Sequence, residues 1–151
     1  MYPLYFIAIS VILGFLKILL WKTDAVTAFL FAFIVSNIGL QGIFAFIGHF
    51  FRADEVARGI GWPTGSPFQR EIAFANLSMG VLGIMSIWFC GYFWLAAIIG
   101  RSVFSWGAAY GHIVDLKKSR NSNILNAGPV LYDDILIPVV LIGLYLADTL
   151  R

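Results

Sequence analysis

The sequence has few charged residues and a single cysteine, and each scarcity excludes a class of protein. Only 12% of the 151 residues are charged, whereas a soluble domain carries about a quarter. The net charge is only +2, so we expect no nucleic-acid partner, because such partners select strongly basic surfaces. Cys90 is the one cysteine, which excludes an internal disulfide framework.

Apolar residues are abundant instead. Sixty per cent of the residues are hydrophobic, and the mean hydropathy is +0.88. A chain of this length cannot hide so much apolar surface in one water-soluble core, so its main partner should be the lipid bilayer. The sequence therefore predicts an all-α integral membrane helical bundle, with residues 1–151 forming a single transmembrane domain.

Five hydrophobic stretches are each long enough to cross a bilayer core of about 30 Å, which takes roughly 20 residues. An alternative with four spans would leave the first stretch, which Lys17 interrupts, on the membrane surface. We place the five transmembrane helices at Tyr2–Trp21, Val26–Phe51, Pro67–Phe89, Tyr92–Val114 and Pro129–Ala147.

The lysine and arginine residues predict the orientation. The face that holds the N-terminus and the 52–66 and 115–128 loops is the richer one, and positive loops stay in the cytoplasm. We therefore expect a multi-pass protein of the bacterial inner (cytoplasmic) membrane, with a cytoplasmic N-terminus. The richer face carries Arg52, Arg58, Arg70, Lys117, Lys118 and Arg120, and the opposite face carries Lys17, Lys22 and Arg151.

The first of these loops contains two local signals. Apolar residues surround the charged residues of the 52–66 loop, which predicts a short interfacial helix, with an irregular loop as the alternative. At its end, Ser66 is predicted to cap the third span, Pro67 to occupy the first helical position, and Gln69 to reach back to the cap.

Two pairs of spans share the same landmarks. A Gly-His dipeptide closes the second span at His49 and the fourth at His112, while a Pro-x-x-x-acid pattern opens the third span at Pro67 and the fifth at Pro129. The matched spacing predicts a parallel internal repeat of helix pairs, as in one class of transporter folds, and coincidence is the alternative. The two copies would be residues 26–89 and 92–147.

Polar side chains recur within the apolar spans. Asn37, Gln41 and His49 share one helical face, and lipid cannot hydrogen-bond them, so they should line the inside of the bundle. Arg101 lies about 13 Å inside the fourth span at 1.5 Å per residue. It therefore needs a partner, either an aspartate at the outer end (Asp24 or Asp148) or an anionic ligand.

A second group of polar residues maps to the predicted cytoplasmic end. It consists of His49, Glu71, His112 and Asp133, with Asp134 beside it. Histidines and carboxylates can relay protons, bind cations or hold a divalent metal ion. Alternatively, a His49–Glu71 or a His112–Asp133 hydrogen bond would only join two helices.

Three functions stay open. We favour a channel- or transporter-type or accessory membrane protein, and the alternative is a structural or complex-subunit role in which the polar residues hold helices together. A membrane-embedded enzyme is the third, with the cluster as a metal or acid–base site, although the sequence has no HExxH motif and identifies no catalytic residue. The binding candidates are His49, Glu71, His112, Asp133, Asp134, Asn37, Gln41 and Arg101.

Cofactors and partners follow from the same observations. The first two functions require no cofactor, and a divalent metal ion is the candidate in the third, with His49, Glu71, His112 and Asp133 as its ligands. Five spans of this length form a thin bundle, so we expect a homo-oligomer or a membrane-protein partner.

Three segments carry a resemblance to a known family. They are IGHFFRADEVARGIGWPTGSPFQREIAFANLSMGVLGI, GAAYGHI and NAGPVLYDDILIP, within the stretch from Gly48 to Ile142. This stretch resembles an uncharacterised bacterial family of small polytopic membrane proteins, a domain of unknown function. The resemblance implies a polytopic membrane protein and supplies no activity, substrate or catalytic residue.

Overall fold

The computed structural model describes residues 2–151. These residues form helices and connecting loops without a β-strand, which confirms the predicted all-α class. The elements are α1 (Tyr2–Trp21), α2 (Ala25–Phe33), a π-helical segment (Ile34–Leu40), α3 (Gln41–Phe51), α4 (Ala53–Ile60), α5 (Phe68–Met85), α6 (Tyr92–Ser119), α7 (Ile124–Ala127) and α8 (Pro129–Thr149).

Three helices are long and apolar enough to cross a membrane, fewer than the five predicted. They are α1, the continuous helix Ala25–Phe51 that joins α2 to α3 (the central helix), and the segment Ile124–Thr149 that contains α8. The other two predicted spans are helical, but polar residues lower their hydropathy. The first turn of α5 contains Gln69, Arg70 and Glu71. Helix α6 contains Arg101 and continues into charged residues after Val114.

The hydrophobic core lies between the central helix, α6 and α8, in the half of the bundle away from α4. Apolar residues that recur at helical spacing on these three helices face one another there. Trp94 closes this core at one end, because its indole N–H donates to the carbonyl of Ser86 at 2.9 Å. The core consists of Leu30, Ile34, Ile38, Trp94, Ala97, Ile98, Ile137 and Leu141.

Helix α5 packs against the central helix through glycines. A Cβ atom built on Gly42 would lie 2.7 Å from the backbone nitrogen of Gly80, and one built on Gly83 would collide with the backbone of Gly39. Small residues allow such close backbone approach in helical membrane proteins. These contacts hold α5 in place beside the π-helical segment, in which Ile34 to Gly39 are all buried.

A polar cluster closes the end of the bundle opposite α4. Arg151 forms ion pairs with Asp24 and Asp148, and the Thr27 hydroxyl donates to Asp148 at 2.5 Å. The two aspartates predicted as partners for Arg101 are therefore bound to Arg151. That prediction is wrong, since the Arg101 side chain is paired within the bundle instead.

The segment after the central helix differs in part from the prediction. It forms helix α4, with Ala57 and Ile60 buried and Gly61 at φ +90° ending it, so the helical alternative is confirmed. The predicted cap of α5 is wrong. The helix begins at Phe68, so Pro67 precedes it, and no side-chain hydrogen bond caps its first turn. Gln69 turns towards His49 instead.

Candidate functional site

A cavity of about 760 Å³ lies between the central helix, α6 and α8, in the half of the bundle that carries α4. Its deep end contains Arg101, and its outer end lies at the exposed pair formed by Arg52 and Glu55. Apolar side chains cover much of the wall, including Phe44 and Phe104. Besides Arg52 and Glu55, the polar side chains on this wall include Tyr2, Gln41, His49, Asn76, Arg101, His112, Asp133 and Asp134.

Three helices meet in a buried polar contact at the deep end of this cavity. The Gln41 amide donates to Asp133 Oδ2 at 2.6 Å, and Arg101 Nη2 lies 3.6 Å from the same oxygen. The side chains of Arg101 and Asp133 are 4% and 2% exposed. An ion pair so deeply buried is desolvated, so each charge depends on the other.

Several polar atoms in this region have no hydrogen-bond partner within residues 2–151. They include Gln41 Oε1, Asp133 Oδ1 and Arg101 Nε, together with the hydroxyl of Ser105. Each unsatisfied buried group costs about 1–3 kcal/mol. Such groups on the wall of a cavity are typical of a site that is completed by a bound molecule or by water.

The formal charges on the cavity wall do not balance. Two guanidinium groups (Arg52 and Arg101) face three carboxylates (Glu55, Asp133 and Asp134). Arg52 and Glu55 pair with each other at 2.5 Å, which leaves one positive and two negative charges at the deep end. With both aspartates ionised and both histidines neutral, the formal charge of the deep end is −1.

The two histidines are each bound by an amide. His49 Nδ1 donates to Gln69 Oε1 at 2.7 Å, and His112 Nδ1 donates to Asn126 Oδ1 at 2.8 Å. The predicted His49–Glu71 and His112–Asp133 pairs are therefore replaced by pairs with neutral side chains. The amides follow their histidines by 20 and 14 residues, so the spacing of the predicted repeat does not extend to them.

Asn126 connects His112 to the loop that precedes α7. Its side-chain nitrogen donates to the carbonyl of Asn121 at 2.7 Å and to that of His112 at 3.4 Å. Its oxygen must therefore accept from His112 Nδ1. Asn121 in turn donates to the carbonyl of Ile60 at 2.8 Å, and the Trp62 ring stacks on His112 with centroids 6.0 Å apart. These contacts join the two loops at this end of the bundle.

The structure brings together six of the eight binding candidates and separates two. His49, His112, Asp133, Asp134, Gln41 and Arg101 line the cavity. Glu71 is exposed on α5, and Asn37 donates to the Ser10 hydroxyl at 2.6 Å on the far side of the central helix. The expected face from Asn37 to His49 is interrupted because π-helical turns change the rotation per residue.

The four candidate metal ligands do not form a metal site. Within residues 2–151, no group of three or more His, Cys, Asp and Glu side chains is close enough to hold a metal ion. The exposed position of Glu71 removes one predicted ligand, and the amide partners of the histidines occupy one ring nitrogen each.

Sequence reasoning missed several residues of the site. Asn76 on α5 and Tyr2 on α1 line the cavity, while Gln69 and Asn126 hold the histidines. Asn76 lies seven residues after Gln69 on the same helical face, and this spacing was a usable signal. Glu71 and Ser78, the pair singled out by charge and spacing, are both exposed.

Comparison with known proteins gives a family and no further relative. A search of curated proteins and a search of solved structures found no match. The model of a family of unknown function, DUF6790, matches residues 1–150, which agrees with the predicted resemblance to an uncharacterised family. The match covers almost the whole chain, and the protein therefore belongs to the DUF6790 family.

Proposed function

We propose that the protein is a multi-pass membrane protein of the channel or transporter type that binds a small solute in the polar cavity. The observation that carries this proposal is the cavity itself, with unpartnered polar atoms at its deep end. Its volume of about 760 Å³ falls within the range of about 300–1,000 Å³ for small-molecule sites. A bundle that served only as a scaffold would gain stability by filling this space.

The proposal includes α5 and α6 as the third and fourth of five spans. Their low hydropathy comes partly from residues that face the bundle, such as Asn76, Arg101 and Ser105, which are buried. Their outward positions carry apolar residues, for example Phe74 and Val103, which are 55% and 68% exposed. Lipid would contact this apolar surface and would not contact the buried polar groups.

The connections support the same topology. The loop after α4 and the loop before α7 lie together, since Asn121 donates to the carbonyl of Ile60. Helices α5 and α6 therefore leave this end of the bundle and return to it as a hairpin, whose turn carries the exposed Trp88 and Tyr92. Aromatic residues of this kind favour membrane interfaces.

The cavity would open on the cytoplasmic side of a bacterial inner membrane. This orientation rests on the excess of lysine and arginine in the loops at the α4 end, and it places the N-terminus in the cytoplasm. A homo-oligomer or a membrane-protein partner remains part of the proposal, because the apolar outer surface of so small a bundle offers room for one.

Accessibility of an introduced thiol tests this function. Ala108 lines the cavity, whereas the next residue, Ala109, is 4% exposed and packed at the same depth. In a Cys90→Ser background, we expect Ala108→Cys to react with a membrane-impermeant thiol reagent in oriented vesicles and Ala109→Cys to stay unreacted. Mass spectrometry of the purified protein reports the extent of labelling.

The side of reaction separates the possible functions. Labelling of Ala108→Cys from both sides supports a channel or transporter, and labelling from the cytoplasmic side alone supports an accessory protein that only binds its solute. Equal protection of both cysteines on both sides would contradict the proposal and favour the structural role, in which Gln69 and Asn126 serve only to hold helices.

A further inference from the structure

We propose that the solute is an amphipathic organic cation, an amine whose ammonium group lies beside Asp133 and Asp134 while its apolar part lies against the cavity wall. The inference rests on the proposed function of the cavity and adds the chemical class of what it binds. Charge, hydrogen-bonding capacity and the character of the wall each point to this class.

The charge of the deep end selects a cation. Asp133 and Asp134 face a single guanidinium, that of Arg101, and all three side chains line the cavity. Arg101 already lies 3.6 Å from Asp133, so an anionic ligand would approach a region whose formal charge is −1 when both aspartates are ionised. In a desolvated site this repulsion is strong, whereas a monocation makes the deep end neutral.

Two of the unpartnered atoms near Asp134 are acceptors and match a hydrogen-bond donor, whereas Arg101 Nε is an unpartnered donor. Gln41 Oε1 and Asp133 Oδ1 are acceptors without a partner in the described chain, and both residues are buried, at 3% and 5% exposure. A primary ammonium group beside Asp134 brings three N–H donors. Both acceptor atoms are covered, so the side chains of Gln41 and Asp133 must turn towards the cavity for these donors to reach them. A carboxylate or phosphate ligand would bring only acceptors, which could pair with Arg101 Nε but would leave Gln41 Oε1 and Asp133 Oδ1 unpaired.

The wall selects an organic molecule over an inorganic cation. Phe44 and Phe104 line the cavity, and aromatic rings bind ammonium groups and cover apolar carbon. A metal ion prefers a compact shell of oxygen, nitrogen or sulfur ligands, and within residues 2–151 no such group is found. The length of the cavity towards Arg52 leaves space for an aryl or alkyl group.

A matched set of three probes tests the class. We would titrate 2-phenylethylamine, 2-phenylethanol and phenylacetate into the full-length protein in detergent and measure binding by isothermal calorimetry. We expect the amine to bind at least tenfold more tightly than the alcohol, and phenylacetate to bind least. In Asp134→Asn the amine should lose at least tenfold in affinity while the alcohol is unchanged. Glu71→Gln, which removes an exposed carboxylate outside the cavity, should change neither.

A second variant keeps the test independent of the aspartates. Gly107 lines the cavity, and a Cβ atom built there meets no atom within 4 Å. Gly107→Phe should therefore fill the cavity and abolish binding of the amine. Gly111→Phe is the matched control, because Gly111 is equally open but is not part of the cavity wall.

The outcomes distinguish this inference from the proposed function. The inference is wrong if the alcohol or phenylacetate binds as tightly as the amine, if Asp134→Asn leaves the affinity for the amine unchanged, or if none of the three probes binds. In each case the thiol labelling of Ala108→Cys still decides whether the cavity is open. If Ala108→Cys is protected on both sides and none of the probes binds, both the inference and the proposed function are wrong.

Discussion

Arg101 Nη2 lies 3.6 Å from Asp133 Oδ2 inside the bundle, where both side chains are almost fully buried. The same carboxylate oxygen accepts a hydrogen bond from Gln41, so one atom joins α6, α8 and the central helix. Because water cannot reach the two charges freely, each is tolerated only while the other is present. The contact therefore contributes both to the fold and to the charge of the cavity.

Removing one member of this pair should destabilise the protein strongly. Asp133→Ala leaves Arg101 buried near a cavity with one fewer negative charge, and we expect the free energy of unfolding to fall by about 3–5 kcal/mol. Arg101→Ala should have a similar effect. The double variant should lose less than the sum of the two, as a coupled pair does. Thermal unfolding in detergent measures this, and an additive double variant would contradict the pairing.

The glycine contacts between the central helix and α5 should tolerate no side chain. A methyl group at Gly83 would collide with the backbone of Gly39, and overpacking of this kind costs about 1–3 kcal/mol or more. Gly107→Ala is the matched control, since open space surrounds that Cβ position, and it should be neutral or stabilising by up to about 1 kcal/mol. Equal melting temperatures for the two variants would show that the helices are not in close contact.

The amide of Asn126 should be needed for the end of the bundle that carries α4. Asn126→Ala removes the acceptor for His112 Nδ1 and the donor to the carbonyl of Asn121. Because Asn126 is fully buried, we expect a loss of about 1–3 kcal/mol for each group left unsatisfied. Ser122→Ala, an exposed change in the same loop, should shift the melting temperature little. An unchanged melting temperature in Asn126→Ala would show that this loop does not stabilise α6.

Asp115, beyond the end of the predicted fourth span, should contribute to stability in a pH-dependent way. The Asn121 amide donates to its carboxylate at 2.6 Å and the Trp62 indole at 3.2 Å, and these bonds lower the pKa of Asp115 below its ordinary value of 3.8. A lowered pKa in the folded state gives stability that is complete above 3.8 and is lost as the pH falls through the lower value.

Melting curves across a pH series test this contribution. We expect the melting temperature of the wild-type protein to fall more steeply below pH 3.8 than that of Asp115→Asn, which has no carboxylate to protonate. Parallel slopes in the two proteins would show that the hydrogen bonds of Asp115 do not stabilise its charged form.

Helix positions could be predicted from the sequence because hydrophobic length decides them. The limits of α1 were predicted at the residues where the structure has them, and each of the other predicted spans is a helix with one or both ends shifted. Which of these helices are apolar enough to cross a membrane was not predicted. Arg101 lowers the hydropathy of α6 and faces inward, whereas at the start of α5 Gln69 is buried and Arg70 and Glu71 are exposed.

The partners of the polar residues could not be predicted, because formal charge was used to choose them. Charge complementarity suggested Glu71 for His49, yet Gln69 lies two residues earlier and faces inward. Arg101 was assigned to aspartates at the outer end, whereas helix packing places Asp133 within reach. Hydrogen bonds from neutral amides satisfy a buried group without the cost of desolvating a second charge, and the sequence does not show which amide is near.

The π-helical segment sets the rotational phase between the two halves of the central helix. If residues Ile34 to Leu40 formed an ordinary α-helix, with its larger rotation of about 100° per residue, everything beyond this segment would be turned relative to α2. Gln41 would then point away from Asp133, and Gly42 would no longer pack against Gly80. The wider turns of this segment thus align the ion-pairing and close-packing surfaces of the central helix at the same time.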